Sequence, residues 1–322
     1  MKRIALLVYE DAVLSSISGP LDILNGTNRY LTGSRQPPAF EIELACEKVK
    51  NIQLTVPVQL VCHKTLDEIA DPDLVLVPAF SGDPEAVLRK NRALVEWILK
   101  TYERGVEIAS LCYGSYFLAE AGLLTDRSCT SHWRTVEDMQ RRYPRANVLP
   151  DAVITDQEGV YTSGGAFSSL NLVLYLVEKF CGRRVCVQVS KMFSIDINRV
   201  SQAHFAVFQG QRHHDDEEIL RAQAYIEENY DGPITIDEVA SRTNMSRRNF
   251  VRRFKKATHN TPLEYLQRVK IEAAKKALEA GAASVTSVVY DVGYNDAKTF
   301  RSVFKRFTGL TPQTYRNRYG RA

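Results

Sequence analysis

Two groups of residues in this sequence are of types and spacings that do chemistry. The first is Cys112, in SLCYGSYFLAEAGLL, with His132 twenty residues on in TSHW. Glu107–Ser110 reads as a strand and Ser115–Ala121 as a helix. Cys112 therefore falls on the sharp turn between them, with Gly114 and Ser115 permitting close packing behind it. A thiol in such an elbow faces a helix N-terminus, whose dipole and free N–H groups lower its pKa and can hold an anion. His132 is the candidate partner. The residues by themselves leave two readings open: an activated thiol, or a buried structural cysteine beside a packed histidine.

The second group is Arg, Asn and Lys on short helices. From Val239 onward the sequence repeats at an offset of 50 residues. Val239 matches Val289, Phe250 Phe300, Phe254 Phe304, Lys255 Lys305, Thr258 Thr308, Thr261-Pro262 Thr311-Pro312 and Tyr265 Tyr315. A fixed-offset repeat of this kind marks duplicated structure. In the first copy Ile236–Arg242 is a short helix, Thr243–Met245 a turn and Ser246 an N-cap. Phe250, Phe254 and Ala257 form the inward stripe of the next helix, leaving Arg247, Arg248, Asn249, Arg252 and Lys256 outside. In the second copy Val285–Val292, the turn Gly293-Tyr294 and a cap at Asn295 or Asp296 precede a helix with Phe300, Phe304 and Phe307 inward. Lys298, Thr299, Arg301 and Lys305 face out. A short helix, a tight turn and a second helix with Arg or Asn at its exposed start form a helix-turn-helix, whose second helix fits the major groove and pairs with base edges. Helix Pro262–Ala280, stopped by Gly281, joins the copies and sets their spacing. Arg253, Lys255, Lys270 and Lys275 read as phosphate contacts or solvated charge.

The elements that position the first group are of another class. Apolar runs at Ile4–Val8, Phe40–Ala45, Leu74–Val77, Glu107–Ser110 and Val160–Thr162 alternate with helical stretches such as Glu85–Glu103, Ser115–Ala121 and Ser169–Phe180. This pattern predicts a parallel sheet covered on both faces. The expected organisation is an α/β parallel-sheet sandwich over residues 1–195, a connector over 196–216 that carries an apolar HFAVF patch to dock on a domain, and an all-α domain over 217–322. Charge follows the same division. Residues 217–322 hold 19 Lys and Arg against 12 Asp and Glu, a net +7, whereas 1–216 hold 23 against 26, a net −3. That is compatible with a nucleic-acid reader joined to a control domain, and equally with a basic face that has no partner. Six scattered cysteines without metal spacing read as reduced thiols. No apolar run is long enough for a membrane span, and the start MKRIALLVYED is unlike a signal peptide, so a cytoplasmic location is expected.

Residues from about 217 to 322 resemble the DNA-binding domain of AraC/XylS-family regulators, carried by IDEVASRTNMSRRNFVRRFKKATHNTPLEYLQRVKIEAAKKAL and VTSVVYDVGYNDAKTFRSVFKRFTGLTPQTYR. The resemblance implies a seven-helix domain with both recognition helices on one face, reading successive major grooves. Residues 1 to about 190 resemble the PfpI/ThiJ branch of the class I glutamine-amidotransferase-like fold (flavodoxin-like). The motifs are SGPLDIL, VPAFSG, SLCYGSYFLAEAGLLTDRSCTSHW and YTSGGAFSSLNLVLYLVE. The two together resemble GlxA-type regulators. Two departures bear on catalysis. The carboxylate that polarises the elbow thiol in enzymes of the branch is replaced by Ser16 (Ser15 on a one-residue slip), and Asn171 stands where related regulators carry aspartate. An elbow thiol without its acid partner is a poor nucleophile, so no catalytic residue is assigned.

The resemblance implies instead a transcriptional activator that binds double-stranded DNA, works with RNA polymerase, forms a homodimer through its first domain, and needs no cofactor or metal. A small effector (an amine, amino acid or carboxylate) would sit at the elbow against Ser16, Phe80, Ser81, Cys112, Tyr113, His132, Trp133 and Phe167. Aromatic groups there could cage a quaternary ammonium. DNA contacts fall to Arg247, Arg248, Asn249, Arg252, Lys298, Thr299, Arg301 and Lys305. The rival reading is a cysteine-dependent hydrolase or glyoxalase-like enzyme with DNA binding secondary. A third is a redox sensor acting through Cys112 or Cys129.

Overall fold

The computed structural model describes residues 1–48, 51–199, 201–212, 214–281 and 284–320. They divide into two units, Met1–Gln202 and Ala203–Ala322. The first unit runs β1 (Lys2–Leu7), α1 (Ser15–Gly33), β2 (Phe40–Cys46), a hairpin of β3 (Asn51–Gln53) and β4 (Gln59–Val61), β5 (Lys64–Thr65), β6 (Leu74–Val77), α2 (Pro84–Lys90), α3 (Arg92–Glu103), β7 (Glu107–Ser110), α4 (Ser115–Glu120), β8 (Ser128–Cys129), α5 (Val136–Arg142), β9 (Asn147–Val148), β10 (Ile154–Gln157), β11 (Val160–Ser163), α6 (Leu170–Cys181) and α7 (Arg183–Phe193).

Seven strands form one sheet in the order β10-β11-β7-β6-β1-β2-β5, parallel throughout except for β10, which pairs antiparallel with β11. From β1 the chain steps one way to β2, and from β6 the other way to β7. Right-handed crossovers therefore put α1 on one face and α2–α4 on the other. The packing agrees: α1 lies against α6 and α7, and α4 against α2 and α3. Covered on both sides, the central strands are apolar without alternation, and all four residues of β6 are buried.

One sequence expectation changes here. The helix expected over 85–103 is two helices, because Asn91 leaves the helical conformation and turns its side-chain amide onto the Val87 carbonyl at 2.9 Å. The longest helix of the unit, α1, carries Pro20 inside it, at the loss of one intrahelical bond. The stretch 196–216 divides between the two units. Gln202 is buried in the first unit, and residues from Ala203 belong to the second. Within that stretch Val200 and His213 lie outside the described residues.

The second unit is helical: α8 (Glu217–Asn229), α9 (Ile236–Ser241), α10 (Arg247–Thr258), α11 (Pro262–Glu279), α12 (Val285–Asp291), α13 (Ala297–Thr308) and α14 (Pro312–Tyr319). It has two cores. Ile219, Ile226, Val239, Phe250 and Phe254 meet Tyr265 and Leu266 from the start of α11. Val288, Val289, Phe300, Phe304 and Tyr315 meet Ile271, Ala274 and Leu278 from its end. One continuous helix thus closes the first core and founds the second, which sets the two repeats at a fixed spacing. The Thr-Pro marks are N-caps: Thr261 and Thr311 accept from the N–H groups of Glu264 and Thr314 at 3.2 and 3.1 Å, and Pro262 and Pro312 occupy the first helical position, where no N–H is needed.

Candidate functional site

Cys112 occupies the elbow after β7. Its φ is +54°, a left-handed conformation costing a non-glycine residue about 1–2 kcal/mol. Surrounding bonds hold it there: its N–H donates to Ser163 Oγ and its carbonyl accepts from Ser131 Oγ, both at 3.2 Å. Gly114 is required two residues on, since a Cβ there would lie 2.4 Å from the Val77 carbonyl oxygen at the end of β6. The thiol is buried (6 % exposed) and accepts from the Ala166 N–H at 3.4 Å. Burial pushes its pKa up to about 11, against the smaller opposing pull of the Ala166 and Tyr113 N–H groups. Desolvation thus outweighs the helix-terminus effect expected from the sequence.

A cavity of about 190 Å³ opens at the elbow, lined from five segments: Val13, Ser15 and Ser16; Ala79 and Phe80; Cys112 and Tyr113; His132; and Ala166, Phe167, Ser169 and Leu170. Six of the eight sequence-predicted lining residues meet there. Ser81 does not: the chain turns outward after Phe80, the Ser81 N–H bonds the Asp11 carbonyl at 3.0 Å, and the side chain is exposed. Trp133 does not either, for its ring lies against His132 and under the Arg134 guanidinium, 5.4 Å from the ring centroid. Phe167 stands at the rim, 68 % exposed. Sequence reading missed the small and apolar lining residues, which look like ordinary core.

The cavity chemistry is neutral and aromatic. Phe80, Tyr113 and His132 form a chain of edge-on rings with centroids 5.6 and 5.5 Å apart. Burial pushes the His132 pKa down to about 4, helped by the Arg134 charge, so the imidazole is uncharged near neutrality. Its Nδ1 accepts from the Arg134 N–H at 3.0 Å. Ser16 is occupied as well: its hydroxyl donates to the Val13 carbonyl at 2.6 Å and accepts from the Ala79 N–H at 3.0 Å, pinning the start of α1 to the chain beyond β6. Gln202 braces the rear wall. Its Oε1 accepts from the Gly165 N–H at 3.0 Å, and its Nε2 donates to the Ser131 carbonyl at 2.8 Å. Gly165 has no alternative, since a Cβ there would meet the His132 ring at 2.3 Å.

In the second unit, α9–α10 and α12–α13 are the two helix-turn-helix pairs. Asn244, at φ +51°, makes the first turn and Gly293, at φ +73°, the second. Ser246 caps α10 through the Asn249 N–H at 3.4 Å. Of the two caps considered for α13, Asp296 is the one used, accepting from the Lys298 and Thr299 N–H groups at 3.2 and 2.7 Å. The core positions of the repeat are buried and its outer face is open: Arg247, Arg248, Arg252, Lys255 and Lys256 on α10, and Lys298, Thr299, Arg301, Lys305 and Arg306 on α13, are all exposed. Asn249 is half-buried. Ser302, also exposed, was missed; it is the counterpart of Arg252 at the same offset of 50.

Three basic residues read as phosphate or solvent-facing are structural. Lys270 donates to the Gly293 carbonyl at 2.7 Å, holding the second turn. Lys275 is buried and pairs with Glu272 at 2.8 Å. Arg253 binds both oxygens of Asp216, at 2.7 and 2.9 Å.

Comparison with known proteins agrees with both units. Residues 2–179, more than half of the chain, match the DJ-1/PfpI family, and residues 239–318 match a helix-turn-helix domain. The HTH-type transcriptional regulator GbdR of Pseudomonas aeruginosa is 27 % identical over 76 % of this chain and 66 % of its own length. CdhR of the same species is 29 % identical over 77 % and 73 %, and GlxA of Rhizobium meliloti 23 % over 67 % and 67 %. The chain thus spans about two thirds of the length of the curated relatives it matches. A putative transcriptional regulator from Vibrio parahaemolyticus shares the fold of the first unit, with a TM-score of 0.53 at 19 % identity over 59 % of this chain and 98 % of that one. The chain belongs to the DJ-1/PfpI family, in the form that carries an AraC-type helix-turn-helix domain and whose relatives are HTH-type transcriptional regulators.

Proposed function

We propose that this chain regulates transcription by reading DNA with α10 and α13, and that a small molecule in the elbow cavity controls that grip. The observation that carries the first part is the duplicated reader. Two separately cored helix-turn-helix pairs share one spine, and each turns Arg, Lys or Asn outward at the start of its second helix. The test is selection of bound duplexes from a random pool, followed by Arg248→Ala. The expected loss is about 1–3 kcal/mol on the selected duplex and much less on random DNA. An equal, small loss on both would make Arg248 a phosphate contact.

The cavity supports a narrower effector class than the sequence did. Among the described residues its lining has no charged side chain, so a carboxylate would be buried without a cationic partner. A compact amine, above all a quaternary one, would meet the aromatic rings of Phe80 and Tyr113. The volume suits a compact molecule. Calorimetry with a panel of small amines, amino acids and carboxylates tests this. An amine should bind, about tenfold more weakly to Tyr113→Ala; heat from carboxylates alone would reverse the assignment.

Hydrolysis through Cys112 has little support, since the thiol is buried and protonated near neutrality and Ser16 supplies no carboxylate. Alkylation of Cys112 by iodoacetamide at pH 7.5 should accordingly be far slower than that of a free thiol. Action as an activator with RNA polymerase, a homodimer through the first unit and a cytoplasmic location are proposed from the family resemblance. Among the described residues no helix is long and apolar enough to cross a membrane.

A further inference from the structure

We infer that Thr299 selects thymine in the half-site under α13, and does so through its γ-methyl group, not its hydroxyl. The inference rests on α13 being a reading helix. Thr299 and Asn249 occupy the same place in the two readers, three residues after the N-caps Asp296 and Ser246. Their neighbours leave them different groups to present.

In the second reader the Thr299 hydroxyl donates to Asp296 Oδ2 at 2.6 Å, and that same oxygen accepts the Thr299 N–H at 2.7 Å. The carboxylate thus takes both protons of one residue and fixes its χ1, with the hydroxyl turned back toward the cap. The exposed remainder of the side chain is the methyl group. In the major groove the matching apolar feature is the C5-methyl of thymine. The carboxylate beside it disfavours approach to a phosphate, which points the residue toward a base edge. The first reader has no such arrangement. Its cap is the neutral Ser246, and Asn249 Oδ1 accepts from Arg252 Nη2 at 2.9 Å, so Asn249 keeps its amide protons for acceptor edges. Ser302 stands where Arg252 would be, so the position three residues on carries no guanidinium to bond residue 299 as Arg252 bonds Asn249.

The experiment uses the full-length chain and a duplex selected by it from a random pool. Each thymine in the second half-site is replaced in turn by deoxyuridine, which lacks only the methyl group. Affinity is measured for wild type, Thr299→Ser and Thr299→Val; the position is exposed and the Asp296 cap on the backbone remains, so both variants fold. One deoxyuridine position should weaken wild type and Thr299→Val about fourfold, the worth of one buried methyl group, and leave Thr299→Ser unchanged. If no deoxyuridine position matters, or if Thr299→Ser keeps the same sensitivity, the assignment is wrong. A loss confined to Thr299→Val would show that the hydroxyl does the reading. Failure of wild type to select any duplex would overturn the DNA-reading proposal itself, and this assignment with it.

Discussion

Tyr265 and Tyr315, 50 residues apart, close the two readers with the same bond. Each donates its phenol proton to a glutamate on the helix that opens its own repeat: Tyr265 to Glu227 on α8, and Tyr315 to Glu279 on α11 at 2.5 Å. Each ring also lies edge-on to the second phenylalanine of its recognition helix, Phe254 at 5.3 Å and Phe304 at 5.5 Å, both at 81°. The duplication extends from sequence to hydrogen bonds. Thr258 and Thr308 each donate to the carbonyl four residues back at 2.8 Å.

Tyr265→Phe and Tyr315→Phe should therefore destabilise the reader by similar amounts, about 1.5–3 kcal/mol each, because each leaves a carboxylate short of a buried partner. Denaturant midpoints followed by far-ultraviolet circular dichroism would check this. A negligible effect of one and a large effect of the other would contradict the equivalence.

Lys275 and Glu272 form a buried ion pair on the spine helix. Lys275 also donates to the Ala206 carbonyl at 2.5 Å, and Glu272 accepts from the Phe208 N–H at 3.1 Å. The pair straps the chain entering the reader onto α11. Lys275→Met should cost about 3–5 kcal/mol by stranding the carboxylate, and adding Glu272→Leu should recover part of that loss. Recovery stays partial because the Ala206 and Phe208 backbone groups lose their partners. A single variant as stable as wild type would contradict the burial described.

His132 gives the first unit a pH dependence of definite sign. Its pKa lies near 4 in the folded chain, against an ordinary 6.5 when unfolded. Between those values the unfolded state binds the extra proton, so stability falls as pH drops from 6.5 toward 4 and is unaffected by this group above 6.5. Urea midpoints of wild type and His132→Gln should run parallel above pH 6.5 and change relative to one another between pH 6.5 and 4, where the variant's curve is the flatter. Curves parallel over the whole range would place the proton elsewhere.

What the sequence made legible follows from how locally each feature is encoded. The paired readers rest on Phe, Thr and Pro at fixed short spacings, and the elbow on a strand, Cys112-Tyr113-Gly114 and a helix, so both can be read along the chain. The cavity draws on five separate segments, and Val13, Ala79 and Leu170 carry no mark that distinguishes lining from core. Lys270 and Lys275 looked like surface charge because the carbonyls that accept from them, of Gly293 and Ala206, lie 23 and 69 residues away. The offset that revealed the repeat also pairs Arg252 with Ser302, a difference legible in sequence once the two helices are superposed.

The central claim is that two readers on one rigid spine grip DNA together, and spacing tests it most directly. Five or ten base pairs are inserted between the half-sites of a selected duplex, and affinity is measured at fixed salt. Because α11 fixes the separation, five pairs should reduce binding to the level of a single half-site, and ten should fail to restore it although the helical face returns. Affinity unchanged by either insertion would contradict the account.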